Sequence, residues 1–560
     1  VTGRDDRRSV VVVGASAAGL RCACRLTRLE PEIEIRVVDA ASVFSYAACG
    51  LPYALSGDVG DPGALRRTDY GVIRDAAYFE TFKGVEVLGG RRAVAVDVSK
   101  RRLAVEGPEG TENLSWDDLV LATGAKPIRL PGQPDHPRVV GFHVWEDLEP
   151  LKTGLARGEI ERVAVIGAGL VGCELAEAFR SLWGAEVTLI EAAGYPLPRN
   201  LDREAGSCVA RHLHDSDVRL LTGSPVESIR ADDDRVEVTA GGEIVEAHVA
   251  VVAVGVRPEV ELGRQAGVEL GPGGAMVVSS RLATTVPHVW AVGDCATVRH
   301  AVTGDPDYLP LGSLANRQGR TLANVLAGRS DEFPPVAGAV AVKVFDRNVA
   351  ATGITRIAAL ERGLKAASAH VSALDRPHYW PESAQIHIEI VYEVGSGRVL
   401  GAQAVGEGDV TKRIDIATQV IAHGGGLDDL ANVEHAYAPP YAPALEPLAV
   451  AAMVAQNQID GVESVTPDTE WGDFAILDVR SPEEAEESPA GHDRLVRIPL
   501  GELAQRAGEL DDSVQVVVCA RGPRSAEAVR LLARHGIRAR YLGGGLRWRE
   551  AVDTAKGAPE

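Results

Sequence analysis

Two thiols and two glycine-rich turns are the parts of this chain best equipped for chemistry. In "VFSYAACGLPYALSG", residues 43–57, Cys49 stands between small residues and a Gly-Leu-Pro-Tyr turn, shortly after Asp39. A second thiol, Cys519, opens "CARGPRS", the pattern C-x-x-G-x-R-S with Gly522, Arg524 and Ser525. A thiol at a strand end, ringed by backbone N–H groups at a helix N-terminus, is stabilised as a thiolate and can hold a persulfide anion. Cys22, Cys24, Cys173, Cys208 and Cys295 read instead as small buried hydrophobes. The cysteines are odd in number and scattered, with neither the pairing of a disulfide framework nor zinc-ligand spacing, so no metal site is expected.

The glycine turns have a different chemistry. "SVVVVGASAAGLRCACRLTRL" is an apolar strand, a turn of small residues and a helix, with the pattern G-x-S-x-A-G at Gly14, Ser16, Ala18 and Gly19. The following strand, "EIEIRVVDA", ends in Asp39, where a carboxylate can accept hydrogen bonds from a ribose. "ERVAVIGAGLVGCELAEAF" carries the full G-x-G-x-x-G as Gly167, Gly169 and Gly172, and "AEVTLIEAA" supplies Glu191 at the next strand end. Small residues let the backbone approach a pyrophosphate, and the helix N-terminus supplies N–H donors and the positive end of its dipole. A single such turn is compatible with a plain β-to-α connection. Two copies, each with strand, helix and acid, imply two bound nucleotides.

The elements that position these groups need several cores, because 560 residues correspond to about three to five domains. The balance of 58 basic and 79 acidic residues gives a net charge of −21, which argues against nucleic acid as a partner. Hydrophobic residues at 45% and charged ones at 24% match a folded globular chain. The basic start followed by "SVVVVGASAAGL" imitates a signal peptide but is short and Gly-rich, and reads better as a first strand. No apolar run of about 18 residues suggests a membrane span, and a reducing cytoplasm fits the cysteines.

Two shorter motifs, "LVLATGAKP" with Thr123 and Gly124 and "TTVPHVWAVGDCA" with Gly293 and Asp294, resemble those of the pyridine nucleotide-disulfide oxidoreductase family. The resemblance assigns FAD to the first glycine turn and a nicotinamide nucleotide to the second, with Asp294 bonding the ribityl chain. Glu191 then favours NADH over NADPH, since a carboxylate repels a 2′-phosphate. Glu174 matches a family glutamate beside the nicotinamide. In this family a cysteine against the flavin passes electrons to sulfur, and Cys49 occupies that place. Many members use C-x-x-x-x-C, but the position five after Cys49 is Ala54, so no internal disulfide is expected.

"SYAACGLPY" resembles the S-F-x-N-C-G-x-P-Y motif of the coenzyme A-disulfide and persulfide reductase branch. That branch places two tyrosines of the partner subunit beside the cysteine, which by "PHYWPES" and "HAYAPPYAPA" would be Tyr379 and Tyr437, as proton donors. They serve equally as packing residues of a dimer interface. The motif's asparagine is Ala48 here, and a later family lysine is Leu445. The family's substrate site implies Arg21, Arg25, Arg28, Ser45 and Lys83 as holders of an adenosine phosphate. Three arginines at this spacing share one helix face, which is also what a solvated basic face looks like.

The tail around Cys519 resembles a rhodanese sulfurtransferase, with "LDVRSPEE" and "LGGGLRWREAV" as its flanking segments and Asp478 and Arg480 better matched than His492. The expected architecture is α/β: a Rossmann-like FAD domain at about 8–125 and 250–330 and a Rossmann-like nicotinamide domain at about 126–249. An α+β dimerisation domain at about 331–455 and an α/β rhodanese domain at about 465–560 follow. The expected protein is a cytoplasmic homodimeric flavoenzyme in which NADH reduces FAD and electrons pass through Cys49 to a disulfide, persulfide or polysulfide of coenzyme A type. Cys519 and Arg524 would handle sulfane sulfur. The alternatives are an NADH oxidase, against which Ala17 stands where a loop histidine is found in oxidases, and a sensor or sulfur carrier with poor turnover.

Overall fold

A computed structural model describes residues 7–511 and 513–553; residues 554–560 of the expected rhodanese span lie outside them. The chain packs as two compact units, one of residues up to 167, 175–187 and 226–338, the other of 168–174, 188–225 and 339 onward.

The first unit is built on a five-stranded parallel sheet in the order Val289–Ala291, Asp118–Leu121, Ser9–Val13, Glu34–Asp39, Glu86–Gly89. Parallel strands buried on both faces read as continuous apolar runs, and Val10, Val11 and Val12 are fully buried. The helix Ala17–Leu29 lies on one face beside Gly312–Leu326, about 300 residues later in sequence. The two helices touch at Gly319, where a Cβ would sit 2.3 Å from the Ala18 carbonyl oxygen. Three antiparallel strands, Arg92–Asp97, Arg102–Gly107 and Gly110–Ser115, add a second layer. Further along, Arg162–Ile166 pairs in parallel with Val249–Val252 before the second glycine turn.

The second unit contains a five-stranded antiparallel sheet in the order Val340–Val344, Arg347–Gly353, Val399–Gly406, Gln385–Glu393, Ala366–Leu374. Its C-terminal part is a parallel sheet in the order Ser464–Val465, Arg540–Leu542, Val514–Val518, Ala475–Asp478, Leu495–Arg497. Among the described residues no helix is long and apolar enough to cross a membrane.

Candidate active site

The first glycine turn joins the strand Ser9–Val13 to the helix Ala17–Leu29. Gly14 has φ +114°, and a Cβ there would lie 2.1 Å from the Ala122 carbonyl oxygen; one on Gly19 would lie 2.0 Å from that of Gly14. Only glycine fits either place. Ser16 is the N-cap residue of the helix, and Ala18 is buried. Gly293, also at positive φ, comes so close that a Cβ would stand 3.1 Å from that of Ala18, so the turn and the Gly293–Asp294 pair converge. Burial raises the Asp294 carboxyl above its usual range. Thr123 and Gly124 form the neighbouring turn, with Thr123 Oγ1 donating to the Glu259 carbonyl at 2.5 Å and Glu259 N–H to the Gly124 carbonyl at 2.9 Å.

Asp39 is used locally. Its carboxylate accepts the N–H groups of Ala15 at 2.6 Å and Ala41 at 2.8 Å, clamping the turn to the strand end. Glu191 repeats the device, accepting from Ala168 at 2.8 Å and Ala193 at 2.9 Å. In the second turn Gly167 has φ +101° and no room for a Cβ beside Ala253, whereas the space over Gly169 is open. Gly172 is buried and Glu174 half-buried in the helix Leu170–Ser181.

These surroundings fit a flavin nucleotide. The side chain of Gln318, 1% exposed, takes the Gly293 N–H on its oxygen at 2.6 Å and leaves its buried Nε2 without a partner. The Tyr308 hydroxyl, whose acidity is weakened by burial and by Asp294, is also buried without one. Gln318 and Tyr308, with Asp294, offer hydrogen bonds beside a cradle that any Cβ would fill.

Cys49 lies in the short turn Ala48–Gly50 ahead of the helix Leu51–Ser56 and is exposed. Its Sγ is 3.8 Å from the point a Cβ on Gly312 would occupy, at the first residue of the 15-residue helix Gly312–Leu326. The positive end of that helix dipole favours the thiolate. Ser45, which donates its N–H to the Ala15 carbonyl at 3.1 Å, holds φ +56°, an uncommon conformation for a residue with a Cβ. It ties the cysteine segment to the first glycine turn. Ala54 is fully buried, so the position of a second thiol faces the core.

Burial raises the Cys24 thiol, against the opposing charges of Lys83, Arg28 and Arg21, so three of the expected phosphate-holding cations share one neighbourhood. Arg25 is half-buried, its Nε donating to Asn324 of the helix Gly312–Leu326 at 3.1 Å. Burial likewise pushes the thiols of Cys22 and Cys208 up to about 12 and raises those of Cys173 and Cys295. Among the described residues, none of the seven cysteines is in a disulfide.

Cys519 directly follows the strand Val514–Val518 and is 1% exposed. The Gly522 N–H donates to its Sγ at 3.1 Å, and the Ser525 hydroxyl lies 3.4 Å away. Gly522, at φ +114°, turns the loop into the helix Pro523–Arg534. The turn before the helix Gly545–Asp553 supports the loop from behind. A Cβ on Gly545 would meet the Arg521 nitrogen at 2.5 Å, while the N–H groups of Leu546 and Arg547 bond the Cys519 and Ala520 carbonyls. Arg524 is engaged bidentately by Glu484 at 2.6 and 2.7 Å. Asp478 and Arg480 form a buried pair, while His492 is half-buried and bonds the Gly472 carbonyl. Tyr379 and Tyr437 are exposed on the second unit, as is Tyr441.

Gln318, Gly312 and Gly319 escaped sequence reasoning, although Gly312 and Gly319, seven apart in "GSLANRQG", show the two-turn spacing of one helix face. Glu484 and Gly545 were also missed. They lie in the segments "LDVRSPEE" and "LGGGLRWREAV" without carrying a thiol themselves.

A family model described as pyridine nucleotide-disulphide oxidoreductase matches residues 8–319, and the dimerisation-domain model of the same family matches residues 339–449. The chain belongs to this family. It is 32% identical over 462 residues to the NAD(P)H coenzyme A polysulfide/persulfide reductase of Pyrococcus horikoshii, covering 81% of this chain and 99% of that one. An NADH oxidase of Methanocaldococcus jannaschii is 29% identical over 444 residues, covering 79% and 97%. Among solved structures, an NAD-dependent persulfide reductase from A. fulgidus superposes with a TM-score of 0.93 at 38% identity, over 96% of this chain and 99% of that one. Reduced Bacillus anthracis CoADR-RHD gives 0.90 at 29% identity, over 98% and 99%.

Proposed function

We propose that the chain is an NADH-dependent FAD oxidoreductase that reduces a persulfide, polysulfide or disulfide of coenzyme A type at Cys49, with a C-terminal rhodanese module carrying sulfane sulfur on Cys519. The observation that carries this reading is Cys49 itself: an exposed sulfur at a helix N-terminus, tied through Ser45 to a nucleotide cradle, with buried Ala54 where a second thiol would stand. Its disulfide partner is therefore the substrate. In this reading the FAD domain takes up about 8–125 and 250–330, the nicotinamide domain about 126–249, the dimerisation domain about 331–455 and the rhodanese domain about 465–560. The persulfide reductases of P. horikoshii and A. fulgidus support the reaction, and the thiol loop of Cys519, Gly522 and Ser525 supports the sulfur-carrying tail.

FAD and NADH, when bound, supply the two electrons. The Cys49 thiolate attacks the thiol-bearing sulfur of R–S–SH, forming a Cys49 mixed disulfide and releasing hydrosulfide; two electrons and a proton then free R–SH and restore the thiolate. One NADH is consumed per sulfur–sulfur bond. In a homodimer the exposed Tyr379 and Tyr437 would give the departing thiol its proton across the interface. Arg21, Arg28 and Lys83 form the basic patch for an adenosine phosphate, with Arg25 and Ser45 as supports. Glu174 borders the nicotinamide, and Glu191 selects NADH by charge. Arg524, neutralised by Glu484, orders the Cys519 loop.

A screen of NADH and NADPH oxidation with coenzyme A persulfide, glutathione persulfide, polysulfide, coenzyme A disulfide and oxygen tests this. Coenzyme A persulfide or polysulfide with NADH should turn over fastest. Oxygen supporting the same rate as the best sulfur acceptor would reject the reading in favour of an oxidase.

A further inference from the structure

Three ionisable side chains meet inside the second unit, away from solvent. His370 and Glu389 are register partners in the antiparallel pair Ala366–Leu374 and Gln385–Glu393, so they project from the same sheet face. Glu204, in the first turn of the helix Arg203–Asp215, points at them. Their exposures are 2%, 0% and 1% for His370, Glu389 and Glu204. His370 Nε2 lies 3.5 Å from Glu389 Oε1 and 3.9 Å from Glu204 Oε1, and one donor atom of each residue falls within 4.8 Å of the others. A normal N–H···O bond is about 2.7–3.2 Å long. His370 Nε2, both Glu389 carboxylate oxygens and Glu204 Oε2 have no hydrogen-bond partner.

The buried charges of Arg413 and Asp202 in the same unit are answered. Arg413 Nε donates to Glu446 at 2.7 Å and its Nη atoms donate to the Asp409 and Asp375 carbonyls. The Asp202 carboxylate receives the Arg356 and Ile357 N–H groups and the Gln403 amide. Two buried carboxylates left without donors are costly, and what the cluster lacks is positive charge at its centre.

We propose that Glu204, His370 and Glu389 are the ligands of one divalent metal ion of the zinc type. Donors about 2.1 Å from a tetrahedral ion stand about 3.4 Å apart, close to the separations observed. Two carboxylates, a neutral imidazole and a dication sum to zero charge, which suits a buried site. An imidazole among carboxylates favours zinc over calcium or magnesium. Trp548 covers the place, its ring 5.1 Å from that of His370 and its Nε1 donating to the Glu204 carbonyl at 3.3 Å. The ion is structural: it ties the helix Arg203–Asp215 to the antiparallel sheet beneath the C-terminal segment. It uses none of the residues assigned to sulfur reduction.

The test uses the full chain, stripped with chelator, reloaded with zinc or manganese, dialysed, and assayed by elemental analysis, calorimetry and X-ray absorption. Expected are one retained zinc per chain, a Tm that rises on loading, and oxygen and nitrogen scatterers at about 2.0–2.2 Å without sulfur at about 2.3 Å. The isosteric Glu389→Gln should lower the stoichiometry by one and weaken binding by at least about 10- to 100-fold. Less than about a tenth of an equivalent of either metal with unchanged Tm, sulfur in the first coordination sphere, or a stoichiometry indifferent to Glu389→Gln would each overturn the proposal. If Glu389→Gln does not fold, the absorption spectrum of the loaded wild-type protein decides alone.

Discussion

Cys49 and Cys519 both sit at helix N-termini, yet one is exposed and the other is 1% accessible. Around Cys49 the chain leaves one side open and sets a nucleotide cradle nearby, so the sulfur can meet a large substrate. Around Cys519 the loop closes: the Gly522 N–H donates to the sulfur, the Ser525 hydroxyl lies 3.4 Å from it, and the Gly545 turn fills the space behind. The same helix-end electrostatics thus serve two purposes. In the proposed function the open thiol exchanges electrons with bulky partners, while the enclosed one holds a single extra sulfur atom.

The strongest way to break this division is Cys49→Ser. It should lower turnover with every sulfur acceptor by at least about 1000-fold, while NADH still bleaches the bound flavin within seconds in stopped flow. Residual turnover near wild type would transfer the reductive role elsewhere. Next, iodoacetamide should label Cys49 at least about 10-fold faster than Cys519, as read by peptide mass spectrometry. Equal rates would mean that the loop is open in solution.

Cys519→Ala should be milder, with polysulfide turnover falling several-fold and coenzyme A persulfide turnover unchanged. If no acceptor is affected, the tail has no share in catalysis. The smallest effect concerns Glu484, whose carboxyl the Arg524 guanidinium holds down at about 2. A depressed carboxyl stabilises the fold fully above its ordinary value, about 4.5, and the contribution is lost as pH falls through about 2. The pair is solvent-screened, so the effect should stay below about 1 kcal/mol. Glu484→Gln should flatten this part of the Tm-against-pH curve, and an unchanged curve would show that Arg524 is held by other means.

Both nucleotide turns were legible as sequence because strand, small-residue turn, helix and acid follow one another within about 30 residues. What Asp39 and Glu191 do was less legible. Each acid, expected to meet a ribose, also clamps the N–H after the first glycine of its own turn. Spacing alone does not reveal that use, because it depends on how closely the strand end approaches the turn. Arg524 presents the same limit, since its carboxylate partner lies 40 residues away.

By itself, the sequence marked out the residues to which chemistry is assigned: a lone Cys49, a looped Cys519 and two glycine turns with their acids, all encoded by short-range patterns. Tertiary structure alone decided what surrounds them. Gly312 and Gln318 come to the first site from a helix late in the unit, and Glu204, His370 and Glu389 meet across a helix and two strands. Spacing in a chain records what one turn or strand can reach, whereas the meeting of distant polar groups is set by how sheets and helices pack.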